Sequence, residues 1–312
     1  MIRVSELITR AGFLSFLLIM SLIISGQAQG ENASLDKKPL KVYISVDMEG
    51  IWGVVHINQC SDDSPEYQQA RRWMVEDINA VIEGLFQGGV NEVVVNDSHA
   101  TMRNIIASEL DPRATLISGS PKPMMMMEGI DSSFQACIFV GYHAQAGSAP
   151  AILDHTIFGA VIYSIKINGI EMPELGINGA IAGYYHVPVV MLTGDTETCR
   201  QAKEILGNDL MAVPVKEAVG RFAARNFPRE KVLANLKEGA RKAISSLDKF
   251  KTYELKPPCQ FEVNFHNSQQ AEIGLLIPGV KRIAPRTLSF SAQDYAEGFK
   301  LLWALIFLAS GS

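Results

Sequence analysis

Acidic and histidine side chains follow three segments that the sequence predicts to be buried β-strands. The first strand runs into Asp47–Gly50, the second into Asn96–His99, and the fourth into Gly141–His143. In open α/β sheets, ligands bind beyond the carboxyl ends of the strands. Carboxylate and imidazole groups together suit a divalent ion such as zinc, manganese or iron. The sequence therefore predicts a metal site at this edge, and bridging carboxylates would allow two ions about 3.5–4 Å apart.

Ordinary structural roles are open to the same residues. Asp47 and Glu49 are two positions apart, so strand geometry directs both to one face, where they could also cap a turn. Asp97 could hold the turn that Asn-Asp-Ser favours, and a single histidine such as His99 or His143 is commonly a hydrogen-bonded structural residue. The metal interpretation is favoured because three separate strand ends bring metal-capable side chains to one edge.

A further histidine, His155, is a candidate for acid–base chemistry. It lies on a connection that should pass the same edge of the sheet, and it could move a proton or stabilise a transition state. The sequence contains no G-x-S-x-G nucleophile elbow, no P-loop and no G-x-G-x-x-G motif. Serine-nucleophile hydrolysis and nucleotide binding are therefore not indicated.

Alternating strand and helix patterns must position these residues. Short β-branched runs predict strands and apolar residues at helical spacing predict helices: the strands are 42–46, 92–96, 114–118 and 136–140, and the helices 65–87 and 103–110. Strands that alternate with helices indicate parallel pairing with helices on both faces. The predicted fold class is α/β, a three-layer parallel-sheet domain followed by a smaller α+β domain.

The pattern changes in the later part of the chain. A hairpin is predicted at 161–172 with its turn at Asn168-Gly169, and Asp195 is the expected N-cap of the helix at 196–206. The remaining predicted elements are helices at 174–186, 229–247 and 293–309 and strands at 188–192, 261–265 and 287–291. The expected organisation is a signal peptide at 1–28, a leader at 29–40, an α/β metal-binding domain at 41–213 and an α+β domain at 214–312.

The first 28 residues predict export. Arg3 and Arg10 precede an apolar run at 11–24, and small residues follow up to Ala28, which is the pattern of a secretory signal peptide. The apolar run has 14 residues, whereas a membrane span needs about 20, so no stable membrane anchor is expected after cleavage. The predicted location is secreted or periplasmic, where the four cysteines could stay free or form one disulfide.

Composition narrows the function class only broadly. Of the 312 residues, 47% are hydrophobic and 20% are charged, which is typical of a globular protein and not of a disordered one. The 28 basic and 33 acidic residues give a formal net charge of −5 without a basic block. Sequence-independent binding to nucleic acid needs clustered lysines and arginines, so no nucleic-acid partner is expected.

Several motifs of this chain resemble those of the zinc-dependent D-aminopeptidase family. They are Ser45–Ile51, Val95–His99, Gly141–Ala144 and Glu174–Asn178, and similar segments continue in order from about residue 42 to the C-terminal helix. The resemblance implies a peptidase with two zinc ions per subunit. It also implies a homo-oligomer, a ring-shaped decamer whose sites face an interior chamber.

The resemblance assigns roles to individual residues. It makes Asp47 the carboxylate that bridges both zinc ions. Glu49 and Glu174 would complete the coordination of one ion, and His99 and His143 that of the other. Glu174 is a candidate through the resemblance alone, because a glutamate that begins a helix is ordinarily explained by the helix dipole.

His155 matches the histidine to which the family assigns the catalytic role, as a nucleophile or as an acid–base group. The function implied is that of an exported metallo-aminopeptidase that removes N-terminal residues, D-alanine among them, from short peptides such as cell-wall fragments. One alternative is another metallohydrolase, an amidase or a phosphoesterase, with the same ligands. The other is a non-catalytic periplasmic solute-binding protein, which would have no need of acids and histidines at several strand ends.

Overall fold

The β-branched runs form strands in the computed structural model, which describes residues 39–311. The predicted signal peptide at 1–28 and residues 29–38 of the predicted leader lie outside the described residues. The strands are, in chain order, β1 Lys41–Val46, β2 Glu92–Asp97, β3 Ala114–Ile117, β4 Ala136–Val140, β5 Ile162–Ile167, β6 Ile170–Glu171, β7 Val189–Asp195, β8 Met211–Gly220, β9 Ala223–Asn226, β10 Cys259–Phe265, β11 Lys281–Ala284 and β12 Thr287–Ala292.

These strands build two sheets within the described part of the chain. The first has seven strands in the order β3-β2-β1-β4-β7-β8-β9, all parallel except β9, which returns antiparallel beside β8. The second has five antiparallel strands in the order β11-β12-β10-β5-β6. Because the strands of the first sheet share a direction, the carboxyl ends of β1, β2 and β4 meet at one edge.

Helices cover both faces of the first sheet: α1 Tyr67–Gln87, α2 Glu174–Tyr184, α3 Thr196–Leu206 and α4 Arg229–Ile244. Two later helices, α5 Ser268–Gly274 and α6 Tyr295–Ser310, pack against the second sheet. As predicted, Asp195 caps α3, where its carboxylate accepts from the backbone N–H of Thr198 at 2.7 Å. Within residues 39–311, no helix has both the length and the apolar character needed to cross a membrane.

Side chains of β1 alternate between two hydrophobic cores. Val42, Ile44 and Val46 belong to the core that α1 and α4 cover, whereas Tyr43 belongs to the core shared with α2, α3 and the second sheet. This alternation is the two-residue period of a strand buried on both faces. It confirms the predicted α/β class, with a parallel sheet between layers. The four cysteines are buried, and none is bonded to another.

One predicted helix is wrong. Residues 103–110 carry apolar side chains at helical spacing, but they form turns. The backbone N–H groups of Asn104 and Ile105 donate to the carboxylate of Asp97 at 2.6 and 2.8 Å. A side chain that takes up backbone donors in this way competes with the helical hydrogen-bond ladder.

The sequence also missed β8, which contains Pro214 and the charged Lys216. The predicted boundary between residues 213 and 214 falls inside this strand. The second sheet joins β5 and β6, which precede that position, to β10, β11 and β12, which follow it. Each of the two sheets therefore contains residues from before and after the predicted boundary.

Candidate metal centre

Backbone hydrogen bonds tie the three strand ends together where the predicted ligands begin. The N–H of Asp47 donates to the carbonyl of Val140 at the end of β4, and the N–H of Gly50 donates to the carbonyl of Gly141, each at 2.8 Å. The N–H of Ser98, which follows β2, donates to the carbonyl of Val46 at the end of β1, also at 2.8 Å. The turns that carry the predicted ligands are therefore fixed to one another.

Glycine is required at two of these contacts. A Cβ atom on Gly50 would lie 1.9 Å from the carbonyl oxygen of Tyr142, and one on Gly141 would lie 2.3 Å from that of Asp47. Gly141 also has a φ of +71°, a conformation that L side chains rarely adopt. Close backbone approach thus explains the glycines beside the acidic and histidine positions.

The two carboxylate oxygens of Asp47 face different histidines. Oδ1 lies 3.1 Å from Nδ1 of His99, and Oδ2 lies 3.4 Å from Nε2 of His143. All three residues are buried. This is the arrangement that a carboxylate between two cation sites requires.

Two glutamates complete the cluster. Oε2 of Glu49 lies 3.1 Å from Nδ1 of His99, and Oε1 of Glu174, at the start of α2, lies 3.1 Å from Nε2 of His143. The structure thus brings together all five side chains proposed as ligands. The distances associate Glu49 with His99 and Glu174 with His143, and the predicted division of ligands between two ions stays a prediction.

Each histidine of the cluster is oriented through its other ring nitrogen. Nε2 of His99 lies 3.1 Å from the carbonyl oxygen of Cys60, and Nδ1 of His143 lies 3.0 Å from that of Ala144. Because a carbonyl only accepts, these nitrogens carry the hydrogen, and the nitrogens facing Asp47 are the ones able to bind a metal. Backbone support of this kind is characteristic of histidines that ligate metals.

His155 joins the same cluster from the loop after β4. Its ring stacks on that of His143 with a centroid distance of 3.8 Å. Its Nε2 lies 3.7 Å from Oε1 of Glu174, and its Nδ1 lies 2.8 Å from the carbonyl oxygen of Leu153. The carbonyl fixes the hydrogen on Nδ1, so Nε2 of the neutral ring presents a lone pair to the cluster.

Burial and neighbouring charges move the pKa values in opposite directions. Burial alone would raise the pKa of Glu49, but the charges of the three neighbouring histidines together outweigh it and hold this pKa well below its usual range. Burial alone would lower the pKa of His143, but the charges of Glu174, Asp47 and Glu49 together raise it to about 10. Burial and then the charge of Glu49 raise the pKa of Asp47 to about 7. Burial and then the charge of His143 lower the pKa of His155, the one histidine of this cluster whose pKa moves down.

These donors fit zinc. Ligand atoms of Asp47, Glu49 and His143 lie within 4.8 Å of one another, as do those of His143, His155 and Glu174. Oε2 of Glu49 is buried, and Nδ1 of His99 at 3.1 Å is the ring nitrogen without a hydrogen, so this oxygen has no donor among the described residues. A buried carboxylate oxygen is normally hydrogen-bonded, and a bound cation would account for the exception. Carboxylate oxygens and imidazole nitrogens are the ligands of catalytic zinc sites.

Asp97 is not part of this cluster. Besides the two backbone donors of Asn104 and Ile105, its carboxylate accepts from Nδ2 of Asn104 at 2.8 Å. The same Nδ2 donates to the carbonyl of His99 at 2.7 Å. Asp97 therefore holds the turn that positions His99, which is the structural alternative that its sequence context allowed.

Lys216 is a contributor that the sequence did not indicate. Its side chain is fully buried in β8. The ammonium donates to the carbonyl oxygens of Glu49, Ile51 and Val54 at 2.6, 2.8 and 2.5 Å. It thereby anchors the segment after β1 that carries two of the proposed ligands. The residues around Lys216 do not predict a strand, so the sequence gives no indication that this lysine is buried beside the cluster.

The cluster opens into a cavity of about 820 Å³. Its walls include Met125 and Met126 from a run of four methionines at 124–127. A short 3₁₀ helix at 125–127 places them beside the site. Further out, it is lined by half-exposed apolar side chains, among them Phe158, Phe222 and Phe307. A space of this size accepts a small molecule or a short peptide.

Comparison with known proteins gives one consistent result. A family model described as D-aminopeptidase (peptidase M55) matches residues 40–304. A D-aminopeptidase of Bacillus subtilis (strain 168) is 37% identical over 274 residues, which cover 86% of this chain and 98% of that protein. Among solved structures, the Zn-dependent D-aminopeptidase DppA from Bacillus subtilis, described as a self-compartmentalizing protease, matches with a TM-score of 0.85 and 34% identity, over 88% of this chain and 99% of that one.

Proposed function

This chain belongs to the D-aminopeptidase family, and from that premise we propose that it is an exported dinuclear-zinc aminopeptidase. It removes N-terminal residues, D-alanine among them, from short peptides. The observation that carries the proposal is the position of Asp47, whose two buried oxygens face two separate histidines within one cluster of donors. A solute-binding protein has no need of such a cluster.

Five side chains hold the two zinc ions in this proposal: Asp47, Glu49, His99, His143 and Glu174. Zinc, when bound, supplies the positive charge that polarises a peptide carbonyl and lowers the pKa of water. The anionic carboxylates offset that charge, and the carbonyls of Cys60 and Ala144 keep the two ligating imidazoles in their binding tautomers.

His155 moves the proton in this proposal. Its Nδ1–H is held by the carbonyl of Leu153, so the lone pair on Nε2 can take a proton from the attacking water. Donation of that proton to the leaving nitrogen then releases the shortened peptide. The stacked ring of His143 restricts the imidazole to one orientation, which suits an acid–base group.

The free amino terminus of a peptide suits the charge of this cavity. Asp62 and Asp63 are exposed and line the cavity outside the proposed ligand set, so their negative charge is not taken up by the zinc ions. Negative side chains at an entrance raise the local concentration of a cationic group. This supports an enzyme that acts at the N-terminal end of its substrate.

The proposed activity is tested with amides and esters side by side. We expect the mature, zinc-loaded chain to hydrolyse D-alanine amide and to leave a phosphate monoester intact. L-Alanine amide serves to measure stereochemical preference. Hydrolysis of the phosphate ester without hydrolysis of either amide would favour the phosphoesterase alternative and overturn the proposed function.

Export and self-assembly are further parts of the proposal. The basic start and apolar run of residues 1–28 support export, and the finding of the protein with intact residues 1–28 in the cytoplasm would contradict it. A homo-oligomer, a decamer in the ring form that the resemblance implies, is supported by the relative described as self-compartmentalizing. A monomer in sedimentation at all concentrations would contradict assembly.

A further inference from the structure

Arg221 is the single lysine or arginine among the described residues that line the cavity. It lies in the turn between β8 and β9, opposite in charge to the carboxylates of the metal cluster. We infer that its guanidinium binds the C-terminal carboxylate of a short peptide whose N-terminal residue is cleaved at the cluster. This inference rests on the proposed function and specifies the substrate class: short peptides with a free carboxyl terminus.

The guanidinium is held in place by the loop that carries His155. Its Nε donates to Oδ1 of Asp154 at 2.7 Å, and its Nη2 donates to the backbone carbonyl of the same residue at 3.0 Å. The backbone carbonyl of Arg221 in turn accepts from the N–H of Leu153 at 3.0 Å. Arg221 is therefore fixed relative to His155, the proposed catalytic histidine, because its partner Asp154 directly precedes His155 in the chain.

One edge of the guanidinium remains available. Nη1 makes no hydrogen bond to any residue in the described range 39–311, and half of the side chain (50%) is exposed. The guanidinium carbon lies 5.0 Å from the ring centre of Phe222, which also lines the cavity. A guanidinium donates to a carboxylate through two parallel N–H groups, so one edge can bind a substrate while the other stays paired with Asp154.

The surroundings of Arg221 fit a short peptide. Asp154, which holds the guanidinium, directly precedes His155 in the chain, and Arg221 and His155 line the same cavity. An extended peptide covers at most about 3.3–3.6 Å per residue, so a peptide that reaches from the cluster to another wall of one cavity has few residues. Its terminal carboxylate is an anion, and Arg221 is the single lysine or arginine among the described residues of the cavity wall.

The inference is tested by comparing acid and amide forms of one substrate. KM and kcat are measured for D-Ala-Gly and D-Ala-Gly amide with the wild-type chain and with Arg221→Gln. Arg225→Gln is the matched control, because Arg225 lies in the same hairpin, pairs with Glu217 and does not line the cavity. The amide of D-Ala-D-Asp distinguishes a side-chain carboxylate from the terminal one.

We expect Arg221→Gln to raise KM for D-Ala-Gly about tenfold, because the substitution removes one charge-assisted hydrogen bond to the substrate carboxylate. KM for D-Ala-Gly amide should stay the same, and Arg225→Gln should change neither value. A disturbed Asp154 loop would instead lower kcat for acid and amide alike. That result, or equal KM values for acid and amide in the wild type, would overturn the subsite and leave the proposed function intact.

Two other outcomes are also decisive. If the amide of D-Ala-D-Asp shows the same dependence on Arg221 as D-Ala-Gly, the group bound is a side-chain carboxylate, and the terminal-carboxylate assignment fails. If the wild-type chain hydrolyses none of these substrates, the proposed function fails and the subsite fails with it.

Discussion

Asp47 has the central position at the scale of single residues. Its two oxygens approach the two histidines proposed as ligands, at 3.1 Å for His99 and 3.4 Å for His143. Of these two histidines, Glu49 approaches His99 and Glu174 approaches His143, each at 3.1 Å. The proposed dinuclear centre therefore depends on Asp47 more than on any single neighbour.

His155 is expected to act in the reaction without holding the metal. Substitution of His155 by Gln removes the imidazole that exchanges the proton, so we expect kcat to fall by about 100-fold or more. Zinc content should stay at the wild-type level. The comparison variant is His186→Gln, because His186 is 77% exposed and pairs with Glu254 on the surface.

Two results would contradict this assignment of His155. Wild-type kcat in His155→Gln would show that the proton moves by another route. Loss of zinc in the same variant would make His155 a ligand, as its 3.7 Å approach to Glu174 permits.

Sequence reasoning at the residue scale had definite limits. The strand ends of a parallel sheet converge on one edge, so the sequence alone predicts four of the proposed ligands: Asp47, Glu49, His99 and His143. It does not predict Glu174, because a glutamate that begins a helix has an ordinary explanation. Only the approach of Glu174 to His143 in three dimensions makes it distinctive. It was found through the resemblance of its motif.

At the scale of elements, the segment after β1 is supported from a distant strand. Lys216 of β8 donates to three backbone carbonyls of that segment, including Glu49. Such a contact joins residues more than 160 positions apart. It links the stability of the sheet to the position of the proposed ligands.

Substitution of Lys216 by Met is expected to destabilise the fold. The three carbonyls would lose their buried donor, and each unsatisfied buried group is costly, so we expect the free energy of unfolding to fall by about 3 kcal/mol. Urea denaturation followed by circular dichroism measures this change. Lys203→Met, at an exposed position of α3, is the matched control, and an equal stability of both variants would contradict the role given to Lys216.

Element prediction succeeded where apolar periodicity was undisturbed and failed where polar contacts decided the backbone. The helix over 67–87 and the strands β1, β2 and β4 follow their hydrophobic patterns closely. Residues 103–110 have a helical pattern, but the carboxylate of Asp97 takes up their backbone donors. β8 contains a proline and a buried lysine, both of which argue against a strand when read from the sequence.

At the scale of the whole molecule, the site is made from parts that lie far apart in the chain. The strand ends and α2 supply the metal cluster, the turn after β8 supplies Arg221, and the C-terminal α6 supplies Phe307 to the same cavity. Four large apolar side chains around it, those of Ile57, Phe158, Phe222 and Phe307, are at least 42% exposed. Exposed apolar side chains grouped on one face mark an interaction or ligand-binding surface, in agreement with the proposed oligomer and substrate site.

Zinc content is the most direct test of the central claim that one carboxylate joins two metal sites. The zinc per chain is measured by mass spectrometry for the mature wild-type protein, for Asp47→Ala and for Asp62→Ala, whose exposed carboxylate also lines the cavity. We expect two zinc ions in the wild type and in Asp62→Ala, and none in Asp47→Ala. Two zinc ions in Asp47→Ala, with activity retained, would contradict the account.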